Sequence, residues 1–186
     1  MPLQGVAVQY IYLITGIPLL AAIIVAARMA GFQMSDLYLS RKNRQKPRHS
    51  WKVQLAIALI GIPLGLMEYS ILRPEPIIPQ LTPGAVVTAS VILIIFTGFT
   101  EELTFRGVMK RATDDLFGVE ISAIYVSLVF AVLHITHLSA LDVFFVFGIG
   151  LLFSSIVQKT ESLYGVTLAH GLTNINLFIF CPLLLG

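Results

Sequence analysis

Long stretches without a charged residue constrain this chain more than any other feature of its sequence. The runs that lack Asp, Glu, Lys and Arg are residues 1–27, 53–67, 76–100, 121–141, 143–158 and 162–186. A helix that crosses a bilayer needs roughly 20 mostly apolar residues. Soluble domains carry about a quarter charged residues, whereas this chain of 186 residues has 12%. The sequence therefore predicts an integral membrane protein.

The apolar runs predict an all-α fold, a polytopic bundle of about six transmembrane helices that forms a single membrane domain over residues 1–186. We place the helices near residues 6–28, 53–72, 84–112, 120–137, 141–158 and 163–181. The first run lacks the basic start of a secretory signal peptide, so we interpret it as a membrane helix. Cys181 is the only cysteine, which excludes an internal disulfide and favours a buried structural thiol.

Basic residues are concentrated in the loop between the first two predicted helices. Residues 29–52 hold six Lys or Arg side chains and a single acid. Short loops of this kind stay cytoplasmic, so we expect this loop inside, the proline-rich segment 73–83 outside, and Arg106 and Lys110 inside again. The loop should also attract anionic lipid headgroups, a role that we favour over nucleic-acid binding. We expect His49, within the loop, to be solvated.

The third predicted helix carries ionisable side chains, which are costly at membrane depth and functional by default. Glu102 and Arg106 are four residues apart, so they share a helix face and can pair. Glu101 lies about 100° around the helix from Glu102, so we expect the two carboxylates not to share one partner. An ordinary solvated helix end fits this segment equally well. A helix over 84–112 would be about 43 Å long, which places Glu101 near mid-membrane.

Three of the four histidines fall in apolar helices. His134 follows Phe130, and Asn174 follows His170, at a spacing of four residues, so each pair shares one helix face. Polar groups in hydrocarbon need partners, so we expect these groups and the glutamates to converge in a pocket between the third, fourth and sixth helices. A carboxylate that takes a proton from water, an imidazole that orients this water and N–H donors for an oxyanion suffice to hydrolyse an amide.

Taken in order, these motifs resemble those of the CAAX prenyl-endopeptidase and bacteriocin-processing (CPBP, or Abi) family of membrane proteins. The motif residues are Glu101, Glu102, Arg106, Phe130, His134, His170 and Asn174. The resemblance covers about residues 84–181. It implies an intramembrane endopeptidase of the glutamate type, which needs no cofactor and hydrolyses a peptide bond near the membrane in a membrane-associated protein or peptide.

The resemblance also implies a role for each motif residue. Glu101 would activate water with the help of His134, while His170 and Asn174 would contact the oxyanion. The supporting residues would be Glu102 and Arg106. Because the chain is short for the prenyl-endopeptidase branch, the resemblance favours a prokaryotic cell-membrane protein of a branch that processes peptides or C-terminal sorting tails.

Two other classes of function remain open from the sequence. Glu101, His134 and His170 are acceptable Zn²⁺ ligands, so a zinc-dependent membrane hydrolase would use the same residues, although the His-Glu-x-x-His signature is absent. A non-enzymatic protein that binds a peptide, confers immunity or transports a substrate also fits intramembrane Glu and His, but the chain shows no inverted repeat. His137 lies outside the motifs, and we expect it to be a packing or rim residue.

Overall fold

The structure, a computed structural model, describes residues 8–40 and 50–186. The basic segment from Arg41 to Arg48 and His49, predicted to be solvated, lie outside the described residues. Within the described ranges the chain forms helices and no strand, which confirms the all-α prediction. Six of these helices are long and apolar enough to cross a membrane.

The six helices follow the predicted runs closely. They are α1 (Val8–Met29), α2 (Trp51–Leu72), α3 (Pro83–Phe117), α4 (Val119–Leu133), α5 (Ala140–Thr160) and α6 (Tyr164–Leu185). The largest difference is in α3, which extends five residues beyond the predicted end at 112 and is 35 residues long. Glu101 lies at the middle of this long helix, as expected. A 3-10 turn, His134–His137, follows α4.

Capping side chains and prolines set the helix ends. The hydroxyl groups of Ser50, Thr82 and Ser139 accept hydrogen bonds from backbone N–H groups in the first turns of α2, α3 and α5. Pro83 occupies the first turn of α3, where its missing N–H has no helical partner to lose. Residues 73–82 connect α2 to α3 without a helix, in agreement with the proline-rich sequence.

The sixth helix lies at the centre of the bundle. Half of its span is buried (50%), against 17% of the span of α1, and it packs against both α2 and α3. Glycines allow these close contacts, because a Cβ atom on Gly61 would lie 2.1 Å from the Ala169 carbonyl oxygen and one on Gly98 would lie 2.9 Å from that of Thr167. Such small residues let membrane helices approach closely. The contact with α3 brings the motif of α6 next to the glutamates.

Two basic residues of α3 are buried in the bundle. Arg106 and Lys110 are 0% and 1% exposed. Lys110 Nζ donates to both carboxylate oxygens of Asp114, at 2.8 and 3.0 Å, and Arg106 pairs with Glu102. Acids one helical turn away neutralise these charges, so both residues belong to the bundle interior, and their cytoplasmic placement stays a prediction. The cytoplasmic placement of the 29–52 loop stays a prediction.

Large apolar side chains cover the outward faces of the helices. Those that are at least half exposed on α1, α4 and α5 include Ile14, Ile17, Leu19, Val25, Ile121, Ile124, Leu128, Leu133, Leu141 and Phe144. An apolar surface of this extent is not stable in water and fits the acyl chains of a bilayer. The chain is therefore an integral membrane protein. Cys181 is buried, as predicted.

Candidate active site

A buried charge cluster joins α3 to α6. Glu102 and Arg106 are both fully buried, and Arg106 Nη1 donates to Glu102 Oε1 at 3.1 Å. His170 Nδ1 lies 2.9 Å from the same oxygen. The predicted pairing of Glu102 with Arg106 is thus confirmed. The alternative, a solvated helix end, is wrong, because α4, α5 and α6 cover this face of α3.

Two aromatic rings lie close to the Arg106 guanidinium. Its central carbon lies 4.4 Å from the centroid of the Phe130 ring and 5.9 Å from that of Phe153. Aromatic faces attract cations, most strongly where water is excluded. Among the described residues, Arg106 Nε and Nη2 and Glu102 Oε2 have no hydrogen-bond partner. The cluster is therefore held by one salt bridge, one imidazole and the aromatic rings.

Glu101 approaches the other nitrogen of the same imidazole. Glu101 Oε2 lies 3.7 Å from His170 Nε2, and the Glu101 side chain is 32% exposed. The two glutamates therefore lie at different edges of one imidazole, because the ring presents a nitrogen at each edge and α6 places it beside both side chains, while Arg106 pairs with Glu102. An ionised carboxylate only accepts hydrogen bonds. The Glu102 contact thus assigns the proton of a neutral His170 to Nδ1 and leaves a lone pair on Nε2 facing Glu101, so a hydrogen bond between these two groups needs one further proton.

His134 begins the 3-10 turn that follows α4. Its Nδ1 lies 2.9 Å from the carbonyl oxygen of Phe130. A carbonyl oxygen only accepts, so Nδ1 is the donor, and Nε2 of a neutral ring carries a lone pair. His134 and Glu101 line one groove, although these two described side chains are not hydrogen-bonded to each other. The local Phe130–His134 pair predicted from sequence spacing therefore orients the ring through the backbone.

Asn174 is anchored to α3. Its Nδ2 donates to Thr97 Oγ1 at 2.8 Å. Thr97 lies in a widened, π-helical turn, Leu93–Phe99, and a second one, Leu103–Met109, follows Glu102. Widened turns of this kind are frequent at functional sites. In this helix they flank the two adjacent glutamates on both sides.

A small cavity lies between these polar groups. Its volume is about 30 Å³, and its lining residues are Glu68, Phe130, His134, Val146, Ile149, Phe153, His170, Thr173 and Asn174. A water molecule needs about 10–15 Å³ measured in this way, so the cavity can hold one. The prediction of a pocket between α3, α4 and α6 was partly wrong, because α2 and α5 line this cavity together with α4 and α6, and no residue of α3 does. Glu101 lines the adjoining groove, next to His134.

Two buried carboxyl groups of this region were missed from the sequence. Glu68, on α2, is 5% exposed and lines the cavity. Asp142, at the start of α5, is fully buried, and its Oδ2 lies 2.8 Å from His137 Nδ1. His137, expected to be a packing or rim residue, is therefore the hydrogen-bonded partner of a buried acid. A signal was present, because Glu68 is the only charged residue between Lys52 and Arg73.

No ready-made metal centre is visible in residues 8–40 and 50–186. These residues contain no group of three or more His, Cys, Asp or Glu side chains that is placed to hold a metal ion. Glu101, His134 and His170 are therefore not arranged as a preformed metal site in these residues, and zinc dependence is left to the chelator experiment below. The expectation that the protein needs no cofactor stays a prediction.

Comparison with known proteins yields one family. The family model described as "Type II CAAX prenyl endopeptidase Rce1-like" matches residues 82–176. No curated protein matches this chain, and no solved structure does. The matched segment begins at the cap of α3 and ends inside α6, so it includes all motif residues from Glu101 to Asn174. It does not include α2, which supplies Glu68.

Proposed function

Because the chain belongs to the Rce1-like family of type II CAAX prenyl endopeptidases, we propose that it is an intramembrane endopeptidase in which Glu101 activates the attacking water. The substrate is a membrane-associated protein or peptide, cleaved near the membrane. The observation that carries this proposal is the position of His170, with one ring nitrogen at Glu102 and the other facing Glu101.

The contacts of His170 support Glu101 as the base. Glu102, neutralised by Arg106, accepts from Nδ1 and holds the imidazole in one orientation, as a carboxylate does for many catalytic histidines. Nε2 then faces Glu101 at 3.7 Å, which is too long for a hydrogen bond and shortens when a proton is shared. Such contacts often tighten only in the substrate complex. We therefore propose that Glu102 fixes His170 beside Glu101, so that Nε2 can take up the proton that Glu101 has drawn from water.

The cavity supports a place for the attacking water. It is bounded by His134, His170 and Asn174, and its size suits one water molecule. The unprotonated Nε2 of His134 accepts one hydrogen of this water, and Glu101, in the adjoining groove, takes the other as the oxygen attacks the carbonyl carbon. A base held in this geometry contributes about 10²–10⁴ in rate.

The same contacts suggest Asn174 as the donor to the oxyanion. Its amide nitrogen has two hydrogens, of which one goes to Thr97, and the second is free for the developing negative charge. Removal of one such donor costs other hydrolases about 10²–10³ in turnover. A neutral His170 has already committed its only N–H to Glu102. We therefore assign the oxyanion contact to Asn174 and not to His170.

The experiment compares purified wild type with Glu101→Gln on a panel of internally quenched peptides. The panel holds peptides that end in a prenylated CAAX sequence, the same sequence without the lipid, or an apolar sorting tail. Glu120→Gln is the matched control, because it removes one negative charge from an exposed position at the start of α4. All three proteins are assayed with and without a chelator.

We expect wild type and the Glu120→Gln control to cleave at least one peptide, with or without chelator. Glu101→Gln should lose about 10²–10⁴ of the turnover while it keeps its helical content. Cleavage by Glu101→Gln at the wild-type rate would show that another group is the base. Loss of activity in chelator that Zn²⁺ restores would replace the proposal with the zinc-dependent hydrolase.

A further inference from the structure

A carboxyl group outside the matched family segment faces the same cavity. Glu68 lies on α2, one turn before the end of this helix at Leu72. Its side chain is 5% exposed and lines the cavity together with His134, His170 and Asn174. A buried acid in an otherwise apolar membrane helix is a functional candidate by default. The mechanism above gives it no role.

Glu68 has no counter-ion of its own in the described part of the chain. The titratable groups that act on its charge are the acids Asp142 and Glu101, which oppose it, and His170 and His137, which favour it but are each hydrogen-bonded to another acid. Among the described residues, none forms a hydrogen bond or a salt bridge with Glu68. An isolated carboxylate removed from water is costly and takes up a proton instead. Glu68 is thus placed to hold a transferable proton beside the cavity.

Peptide hydrolysis needs such a proton. When the C–N bond breaks, the leaving nitrogen must be protonated, because an amide anion is a very poor leaving group. The two histidines do not supply this proton in their neutral forms, since His134 donates its only N–H to the Phe130 carbonyl and His170 donates its own to Glu102. Of the residues that the structure describes, Glu68 is the one carboxyl group in the wall of the cavity.

We propose that Glu68 is the general acid of the reaction, which protonates the leaving amine while Glu101 serves as the base. Glu101 takes one proton from water as the oxygen bonds to the carbonyl carbon. Glu68 gives its proton to the amide nitrogen as the C–N bond breaks. One acid and one amine leave, and a proton returns from Glu101 to Glu68 through solvent, which restores both groups. This inference rests on the proposed function.

The test compares two substrates that differ only in the leaving group. One is the peptide of the panel above that wild type cleaves best, and the other is the same peptide with an ester at the cleaved bond. An ester releases an alkoxide, which needs much less help from a general acid than an amide does. The variants are Glu68→Gln, which keeps the shape but has no acidic proton, Glu68→Asp, which keeps the acid, and Glu101→Gln. Glu75→Gln is the control, because it removes an exposed charge close to the same end of α2.

We expect Glu68→Gln to lose about 10²–10⁴ in kcat on the peptide and less than about 10-fold on the ester. Glu68→Asp should recover part of the peptide activity, and Glu75→Gln should cleave both substrates like wild type. Equal loss on both substrates, or wild-type cleavage of the peptide by Glu68→Gln, would overturn the general-acid role. Glu101→Gln must lose both activities. If it does not, the proposed function fails whatever Glu68 does.

A measurement without substrate covers the case in which no peptide of the panel is cut or Glu68→Gln does not fold. The infrared spectrum of wild type in lipid nanodiscs at neutral pH should contain the carbonyl band of a protonated carboxyl group. Glu68→Gln should remove this band, and Glu68→Asp should shift it. Absence of the band from wild type, or a band of unchanged intensity in folded Glu68→Gln, would show that Glu68 holds no proton to donate.

Discussion

Replacement of Glu102 by glutamine tests the charge cluster at the centre of the site. The change keeps the shape of the side chain but removes the negative charge that faces Arg106. At the observed N–O distance of 3.1 Å, a pair of unit charges attracts by about 5 kcal/mol if the effective dielectric constant is about 20. An arginine remains charged in its absence. We therefore expect Glu102→Gln to lower the free energy of unfolding by about 3–5 kcal/mol, as for other buried charges left unpaired.

Replacement of Arg106, the other member of the salt bridge, should lower the stability less than Glu102→Gln does. Arg106→Met removes the cation, but Glu102 keeps His170 as a partner, and the imidazole can take up a proton to replace the lost charge. We expect Arg106→Met to lower the free energy of unfolding by about 2 kcal/mol, the value of a cation–aromatic contact at a dry site, because the contact with Phe130 is lost. The double variant Glu102→Gln/Arg106→Met has no charge left to bury, so it should be more stable than Glu102→Gln alone.

The assay is unfolding of the purified proteins in detergent micelles, followed by circular dichroism as the fraction of denaturing detergent rises. The exposed salt bridge Arg111–Asp115 on the same helix, with a distance of 2.7 Å and side chains 32% and 68% exposed, supplies the control. Asp115→Asn should change the free energy by less than about 1 kcal/mol. Two results would contradict this reasoning. Either Glu102→Gln lowers the free energy of unfolding no more than Asp115→Asn does, or the double variant is no more stable than Glu102→Gln. In both cases charge pairing does not hold the cluster.

Two further predictions concern the helix contact and the orientation of the chain. Gly98→Ala should lower the stability by about 1–3 kcal/mol and reduce cleavage, because its Cβ would lie 2.9 Å from the Thr167 carbonyl oxygen, whereas Gly148→Ala, which meets nothing within 4 Å, should be neutral in the same unfolding assay. In a Cys181→Ala background, single cysteines in the loop 29–52 should react with an impermeant thiol reagent only after the cells are opened. Reaction in intact cells would reverse the predicted topology.

Several features of the site were predictable because they lie within one helix. The spacing of Glu102 and Arg106, and that of Phe130 and His134, places each pair on one helix face whatever the rest of the chain does. The structure shows both pairs in contact. The motifs also predicted the family, since they preserve both the residue types and their order along three helices.

Contacts between helices were harder to predict. His170 meets Glu102 across 68 residues and Asn174 meets Thr97 across 77. The sequence pattern predicted that His170 and Asn174 lie in a common polar pocket, but it did not predict that Glu102 and Thr97 are their partners. It also left Glu68 out of the site, because no motif includes this residue and its neighbours in sequence are apolar.

The sequence alone determined the membrane-spanning helices, because apolar length decides what can cross hydrocarbon and only internal backbone hydrogen bonds satisfy a segment there. It did not determine how the helices are rotated against one another. The buried face of a helix can be predicted when an apolar stripe runs along an otherwise polar surface. These helices are apolar on nearly every face, so their sequences do not show which face is buried. Backbone contacts at Gly61 and Gly98 set the position of α6. Only that packing decided that one imidazole lies between two glutamates, and that α2 brings a carboxyl group, Glu68, into the cavity beside it.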